Sequence, residues 1–400
     1  MSRNAIDSPA DSQRRQFIST TAALGAGLLA ANGLASAQSQ PAAPATPAAP
    51  ASPAPAAAPK PLKMADVLAK AREVMYPVCR VCAECDGVAC AGEVPGMGGF
   101  GSGAAFRANY TSLQKVHLKM RTVHDVKKPD TAITLFGQKI ALPAICAPTG
   151  GTTYNMGGKM KEDAFAEAIL TGCAKAGTLG AIADGIGDPL EVFEKRVQVL
   201  ARLGVKAIVG LKPRTQEEII ARIRKAEDAG AVAFTIDVDS SGRAARALPG
   251  QTVEPKTAKQ IRELVAATKL PVIIKGIMTV DEALAVANAG AAGIVVSNHG
   301  GRVLDHTPGA AEVLPAIADK VKGKLVILAD GTVRYGHDVL KYQALGADAV
   351  LVGRHLIRGA HGAGADGVAL FLRTMQQELQ AAMVLTGAAN AKAVTRRILA

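Results

Sequence analysis

The chain has 400 residues, 49% hydrophobic and 20% charged, a composition with ample material for a folded core. Aromatic residues make up 3% and Trp is absent, which excludes a nucleic-acid binder built on base-stacking platforms. No apolar run approaches the roughly 20 residues that span a bilayer, which excludes a polytopic membrane protein; the +12 charge is spread along the chain and hints only at anionic ligands.

The N-terminus reads as a targeting segment. Arg14 and Arg15 form a twin-arginine pattern, a modestly apolar run covers 20–34, and Ala35-Ser36-Ala37 is a small-residue cleavage site. Residues 1–37 are therefore expected to be a twin-arginine signal peptide, directing a folded protein to the periplasm. Cleavage after Ala37 removes Arg3, Arg14, Arg15, Asp7 and Asp11, a net +3 − 2 = +1, leaving +11. Residues 38–61 are almost only Ala, Pro, Ser, Gln and Thr, and read as a semi-extended tether.

Residues 62–400 are expected to form the catalytic body. It opens with a Cys- and Gly-rich extension. Cys79, Cys82, Cys85 and Cys90 have the spacing C-x2-C-x2-C-x4-C. That spacing resembles iron–sulfur ligation without its usual C-x3-C-P end, and it fits zinc equally. Disulfides are natural in an oxidising compartment, and free thiols remain open. Cys146 and Cys173 read as core thiols. Gly92 to Gly103 lacks a flanking strand and helix, so it is no dinucleotide fingerprint. It reads as a flap over a barrel mouth or as a plain flexible loop.

From Leu142 onward, eight short apolar runs alternate with helical stretches. The candidate strands are 144–147, 179–184, 206–212, 231–239, 271–276, 293–298, 325–330 and 349–354. Near-continuous apolar runs suit parallel strands buried on both faces. Gly177, Gly204, Gly230, Gly290 and Gly346 punctuate helix ends. Thr215 to Glu218 and Thr279 to Glu282 read as capping boxes, and Asp188-Pro189 as an N-cap with a first-turn Pro. Eight such units predict a (β/α)8 TIM barrel, with function at the C-terminal ends of the strands. Those ends carry Thr149, Asp184, Lys212, Thr235, Asp237, Asp239, Lys275, His299, Asp330 and Arg354. A single strand-end charge is as well explained by a rim salt bridge; a full ring is not.

Two stretches carry chemistry. Asp330 to Asp338 with Gly353-Arg354 places small residues and two arginines after strands seven and eight, a phosphate site shared by several barrel families. Ser297-Asn298-His299-Gly300-Gly301-Arg302 joins a proton acceptor to a residue that can clamp a carboxylate.

From Leu270 to about Leu399, these motifs resemble the FMN-dependent α-hydroxy acid oxidase and dehydrogenase family, which includes glycolate and lactate oxidases. The run Ser297 to Arg302 and the segment Pro271 to Gly276 carry the resemblance, with Leu304-Asp305, Asp330 to Gly336 and Gly353-Arg354. It thins between Leu142 and Leu270.

The resemblance implies FMN as cofactor and a small 2-hydroxy acid as substrate, with oxygen, a quinone or a cytochrome as electron acceptor. It implies that Lys275 stabilises the reduced flavin, that His299 takes the substrate proton and that Asp237 orients His299. Arg302 would hold the substrate carboxylate. Thr149, Gly150, Thr235 and Ser297 would contact the flavin, and Asp330, Gly331, Thr332, Arg334, Gly353 and Arg354 would hold ribityl and phosphate. Tyr76 stands where the family has a substrate-binding Tyr. This chain departs from the family at Thr332, often Gly, at Lys212, often Tyr, and at Gly210, often Gln. The second substrate Arg falls at Ala244, with Arg243 and Arg246 nearby. These departures mark a divergent branch. The rival reading is a barrel binding FMN or a phosphorylated ligand for non-redox, isomerase-type chemistry. A homo-oligomer is also compatible with the sequence.

Overall fold

The computed structural model describes residues 61–246, 249 and 252–400, with residues 244–246 described by backbone alone. The signal segment 1–37 and residues 38–60 of the tether lie outside the described residues.

Two helices lead in, α1 (Met64–Met75) and α2 (Ala104–Gln114), with the Cys- and Gly-rich loops between them. An antiparallel hairpin follows, β1 (Ile133–Leu135) and β2 (Gln138–Ile140). The barrel strands are β3 (Ala144–Cys146), β4 (Gly180–Ala183), β5 (Ala207–Leu211), β6 (Ala231–Asp237), β7 (Val272–Ile277), β8 (Gly293–Val296), β9 (Val326–Ala329) and β10 (Ala349–Val352). All eight fall on the predicted runs.

They pair in parallel in the order β3-β10-β9-β8-β7-β6-β5-β4. At the remaining seam the Cys146 N–H donates to the Leu179 carbonyl at 3.1 Å, nearly closing the barrel. The intervening helices are α3 (Thr152–Asn155), α4 (Glu162–Lys175), α5 (Leu190–Leu203), α6 (Gln216–Asp228), α7 (Ala258–Ala266), α8 (Val280–Asn288), α9 (Ala310–Val321), α10 (Gly336–Leu345) and α11 (Arg354–Thr386), which breaks at Ala363 and Gly364.

Local chemistry explains the punctuation. The five predicted helix-ending glycines all have positive φ, from 61° to 123°. Thr215 closes both bonds of its capping box, whereas Thr279 makes only the bond from the Glu282 N–H. Asp188 is not the cap of α5; Pro189 takes that position. Asp188 instead pairs with the buried Arg196 at 2.7 Å, a stronger partner than a backbone N–H.

The barrel strands are buried on both faces. Ile273, Ile274, Ile294, Val295, Ile327 and Leu328 are fully buried. Truncating any Leu or Ile there to Ala costs about 2–5 kcal/mol, because tight neighbours cannot collapse into the void. This rigidity fixes the strand ends that carry the polar residues.

Candidate active site

Strand β7 supplies the central cation. Its register against β8 shifts between Lys275 and Ile277, leaving Gly276 at φ 106°. A Cβ at position 276 would lie 2.5 Å from the Asp239 Cβ, so glycine is what lets Asp239 approach. Asp239 stands in the 3-10 segment Val238–Arg246 after β6. Its Oδ2 accepts from Lys275 Nζ at 3.2 Å, and its Oδ1 lies 2.9 Å from His299 Nδ1. Lys275 Nζ is also 3.1 Å from that Nδ1. His299 has left-handed backbone at φ 58°, and its N–H donates to Ser297 Oγ at 2.9 Å. Such backbone at a non-glycine residue costs on the order of 1 kcal/mol and concentrates at functional sites.

The three charges set each other's protonation. Burial pushes His299 down, Asp239 resists and Lys275 adds to the fall, leaving it at about 4. His299 is therefore neutral at pH 7 and able to accept a proton. Burial opposes the Asp239 carboxylate, but His299 and Lys275 outweigh it and hold the carboxyl below its usual range. Burial also opposes the Lys275 ammonium, yet Asp239, Asp237 and Asp330 keep it charged, above its ordinary value.

This geometry corrects the expectation that Asp237 orients His299. Asp237 accepts from Lys212 Nζ at 2.7 Å and from Thr235 Oγ1 at 3.4 Å. The chain leaving β6 brings Asp239, two residues later, to His299. Asp237, Asp239 and His299 do offer ligand-type atoms within 4.8 Å of one another. Lys212 and Lys275 already pair with both carboxylates, so their ammonium groups supply the cationic charge that a metal would bring.

A cavity of about 490 Å³ opens beside this cluster, within the range of small-molecule and cofactor sites. Lys275 and His299 line it with Thr149, Gly150, Asp330 and Gly331. Thr332, Arg334, Gly353 and Arg354 line it as well. Thr235 and Ser297 do not; they stand one layer behind, where Ser297 Oγ donates to Asp330 Oδ2 at 2.8 Å. Thr332 sits at φ 57°, which explains why glycine is at home there in the family.

The cavity has unmet polar demand. Thr149 Oγ1, Asp330 Oδ1, Arg334 Nε and His355 Nδ1 are buried there without a hydrogen-bond partner. Buried polar atoms are normally paired, so these call for a polar ligand. Hydroxyls, ring polar atoms and a phosphate beside Arg334 would meet them, as FMN provides. His355 was not anticipated; its one sequence signal is its place directly after Gly353-Arg354. Burial pushes it down to about 3, with Arg334 and Arg358 adding to the fall.

The Gly-rich loop caps this mouth. Arg302 donates to the carbonyls of Gly96 and Gly98 and, at 2.9 Å, to Asn155 Oδ1. Arg354 donates to Met97 O at 2.8 Å, to Gly98 O at 3.2 Å and to Gly300 O at 3.0 Å, with its guanidinium 3.8 Å from the Phe106 ring centre. Both arginines expected to grip anions thus hold loop carbonyls in this structure. Tyr76 is 63% exposed and lies outside the cavity. Tyr154, unanticipated, lines it and donates to Asp188 Oδ1 at 3.0 Å. Lys212 and Arg243 also line it, while Ala244 and Arg246 fall among side chains not described. A Cβ at Gly210 would meet Pro148 at 2.5 Å, so no side chain fits there. Cys146 and Cys173 are buried in the core as expected.

The chain is similar to known proteins in sequence and in fold. The family profile described as FMN-dependent dehydrogenase matches residues 97–259 and 244–400. The 4-hydroxymandelate oxidase of Amycolatopsis orientalis is 33% identical over 343 residues, spanning 75% of this chain and 90% of that protein. The L-lactate oxidase of Lacticaseibacillus rhamnosus (strain LMS2-1) is 31% identical over 346 residues, spanning 74% of this chain and 88% of that protein. A solved mandelate oxidase superposes with a TM-score of 0.68 at 31% identity, covering 84% of this chain and 97% of that one. With a profile that runs through most of the chain and relatives that match over nearly their whole length, this chain belongs to the FMN-dependent dehydrogenase family, with FMN as its cofactor.

Proposed function

We propose that the chain oxidises a small 2-hydroxy acid to the 2-oxo acid, with His299 as base, Asp239 as its positioning partner and Arg302 as carboxylate clamp. The observation that carries this reading is the Lys275–Asp239–His299 cluster on the wall of a cofactor-sized cavity. Relatives named for hydroxymandelate and lactate support the substrate class.

Bound FMN supplies the two-electron acceptor. Thr149, Asp330 and Arg334 would hold it through their unpaired atoms. His299 donates its Nδ1 proton to Asp239, which leaves the Nε2 lone pair to take a proton from substrate. The imidazolium that results is balanced by the Asp239 carboxylate. Lys275 keeps a fixed positive charge beside the reaction centre, where developing negative charge needs it. Arg302 trades its bonds to loop carbonyls for the planar fork it makes with a carboxylate.

The test is purification of the holoprotein and an anaerobic screen of 2-hydroxy acids for bleaching of the flavin absorbance. Dithionite bleaching with no response to any 2-hydroxy acid would overturn the reading. Export in the folded state belongs to the same proposal, supported by Arg14-Arg15 and the Ala35-Ser36-Ala37 site. Arg14→Lys together with Arg15→Lys should leave precursor in the cytoplasm, and unimpaired export would refute it.

A further inference from the structure

The four cysteines of the extension have no part in the chemistry above. We infer that Cys79, Cys82, Cys85 and Cys90 are the ligands of an iron–sulfur cluster set into the wall of the cofactor cavity. All four line one small cavity together with Arg354 and Arg358. Cys85 and both arginines also line the large cavity, so the two spaces share a wall.

Charge is the first argument. Arg358 is 3% exposed, its Nη2 lies 3.1 Å from Cys85 Sγ and 3.8 Å from Cys79 Sγ, and its Nε has no hydrogen-bond partner. Arg358 is thus buried against two sulfurs, and Arg354 lines the same small cavity. A buried cation needs an anion, and a neutral thiol is not one. Ligation by metal converts the thiols to thiolates outright and completes the pair.

Size is the second. A zinc ion bound at about 2.3 Å in a tetrahedron brings its sulfurs to about 3.8 Å from one another. Among the described residues no three of these sulfurs lie within 4.8 Å of each other. These sulfurs therefore do not form a closed tetrahedron around one ion, and four cysteines are the usual ligand set of an iron–sulfur cluster.

Preorganisation is the third. No disulfide joins these cysteines, yet the loop is fixed. Arg80 forks onto Glu93 at 2.8 and 2.7 Å. Arg72 donates to the carbonyls of Arg80 and Val81 at 3.1 and 2.9 Å. Tyr110 donates to Glu84 at 2.6 Å. On the reading of the preceding subsection, the cluster is a one-electron centre beside the FMN; its binding does not depend on that reading.

The test is anaerobic purification of the full chain, with iron and acid-labile sulfide measured per FMN and electron paramagnetic resonance recorded after dithionite reduction. We expect iron and sulfide at about two to four per chain and a reduced-cluster signal. Cys82→Ser and Cys90→Ser should lose iron, sulfide and signal while keeping FMN and the far-UV spectrum. Protein isolated without iron should take it up on anaerobic reconstitution with ferrous iron and sulfide. Zinc without iron, disulfides by alkylation mass, failed reconstitution, or iron indifferent to both variants would each overturn the assignment. Failure of every hydroxy acid to bleach FMN would leave these readouts intact and sink only the substrate reading.

Discussion

Two carboxylates stand two residues apart at and just after the end of β6, and only one is hydrogen-bonded to His299. Asp239 Oδ1 lies 2.9 Å from His299 Nδ1, whereas Asp237 is bonded to Lys212. When His299 takes a proton, a positive charge forms beside Asp239. At an effective dielectric near 20, unit charges at that separation attract by about 6 kcal/mol. Asn in place of Asp keeps the shape and part of the dipole, so only a share of this is lost. Asp239→Asn should therefore slow flavin reduction by about 10²–10⁴-fold, or about 3–5 kcal/mol in the barrier. The change also removes the group that resists the fall of His299, making it a weaker base still. Asp237→Asn leaves the His299 pair intact and should cost no more than about tenfold, through the stranded Lys212. The assay is anaerobic stopped-flow at saturating substrate on variants that retain FMN and thermal stability. If Asp237→Asn proves the more damaging of the two, the assignment of Asp239 is refuted.

Because His299 sits at about 4, the acid limb of kcat/KM should fall as pH drops through that value; a limb at 6–7 would contradict the buried, neutral base. The same depression means the native state binds fewer protons than the unfolded chain between pH 6.5 and 4, so stability should decline as pH falls through that window, as denaturant titrations at stepped pH would show. Arg302→Lys should raise KM by roughly tenfold or more and also lower kcat, because a point charge cannot replace the planar fork; an unchanged KM in steady-state kinetics would remove Arg302 from the clamp. Lys275→Met should make the flavin harder to reduce, by on the order of 50 mV in a spectroelectrochemical titration, with FMN still bound; an unmoved potential would displace Lys275 from the reaction centre.

The barrel was legible because its signals are local and repeated. Strands buried on both faces must be continuously apolar, and each helix must end on a left-handed residue, so both features recur with every unit. Lys275, His299 and Arg302 were legible because each lies within a short motif at a strand end. Asp239 was not. Residues 237 and 239 are equivalent in a period-two pattern, and the choice between them depends on the bulge at Gly276 and the 3-10 path after β6. Tyr76, expected at the substrate, lies outside the cavity for a related reason. Where the N-terminal extension meets the mouth is a matter of long-range packing, and its sequence carries no period that reports it. His355 carries no motif of its own beyond its place directly after Gly353-Arg354.

The Gly-rich loop and the arginines must be understood together. Arg302 and Arg354 donate to neutral carbonyls at positions 96, 97, 98 and 300, and Arg302 donates also to Asn155 Oδ1. Bonds from guanidinium to carboxylate are roughly twice as strong as those between neutral groups, so on the proposed function a 2-hydroxy acid would outcompete the loop at Arg302. In this structure the carbonyls help to satisfy these partly buried cations. The glycines are what make this substitution available. A Cβ at Gly98 would lie 1.9 Å from the Cys90 carbonyl oxygen, so bulk there would drive the loop away from both arginines. The loop therefore joins three things at one point: Arg302, Arg354 and the small cavity lined by the four cysteines.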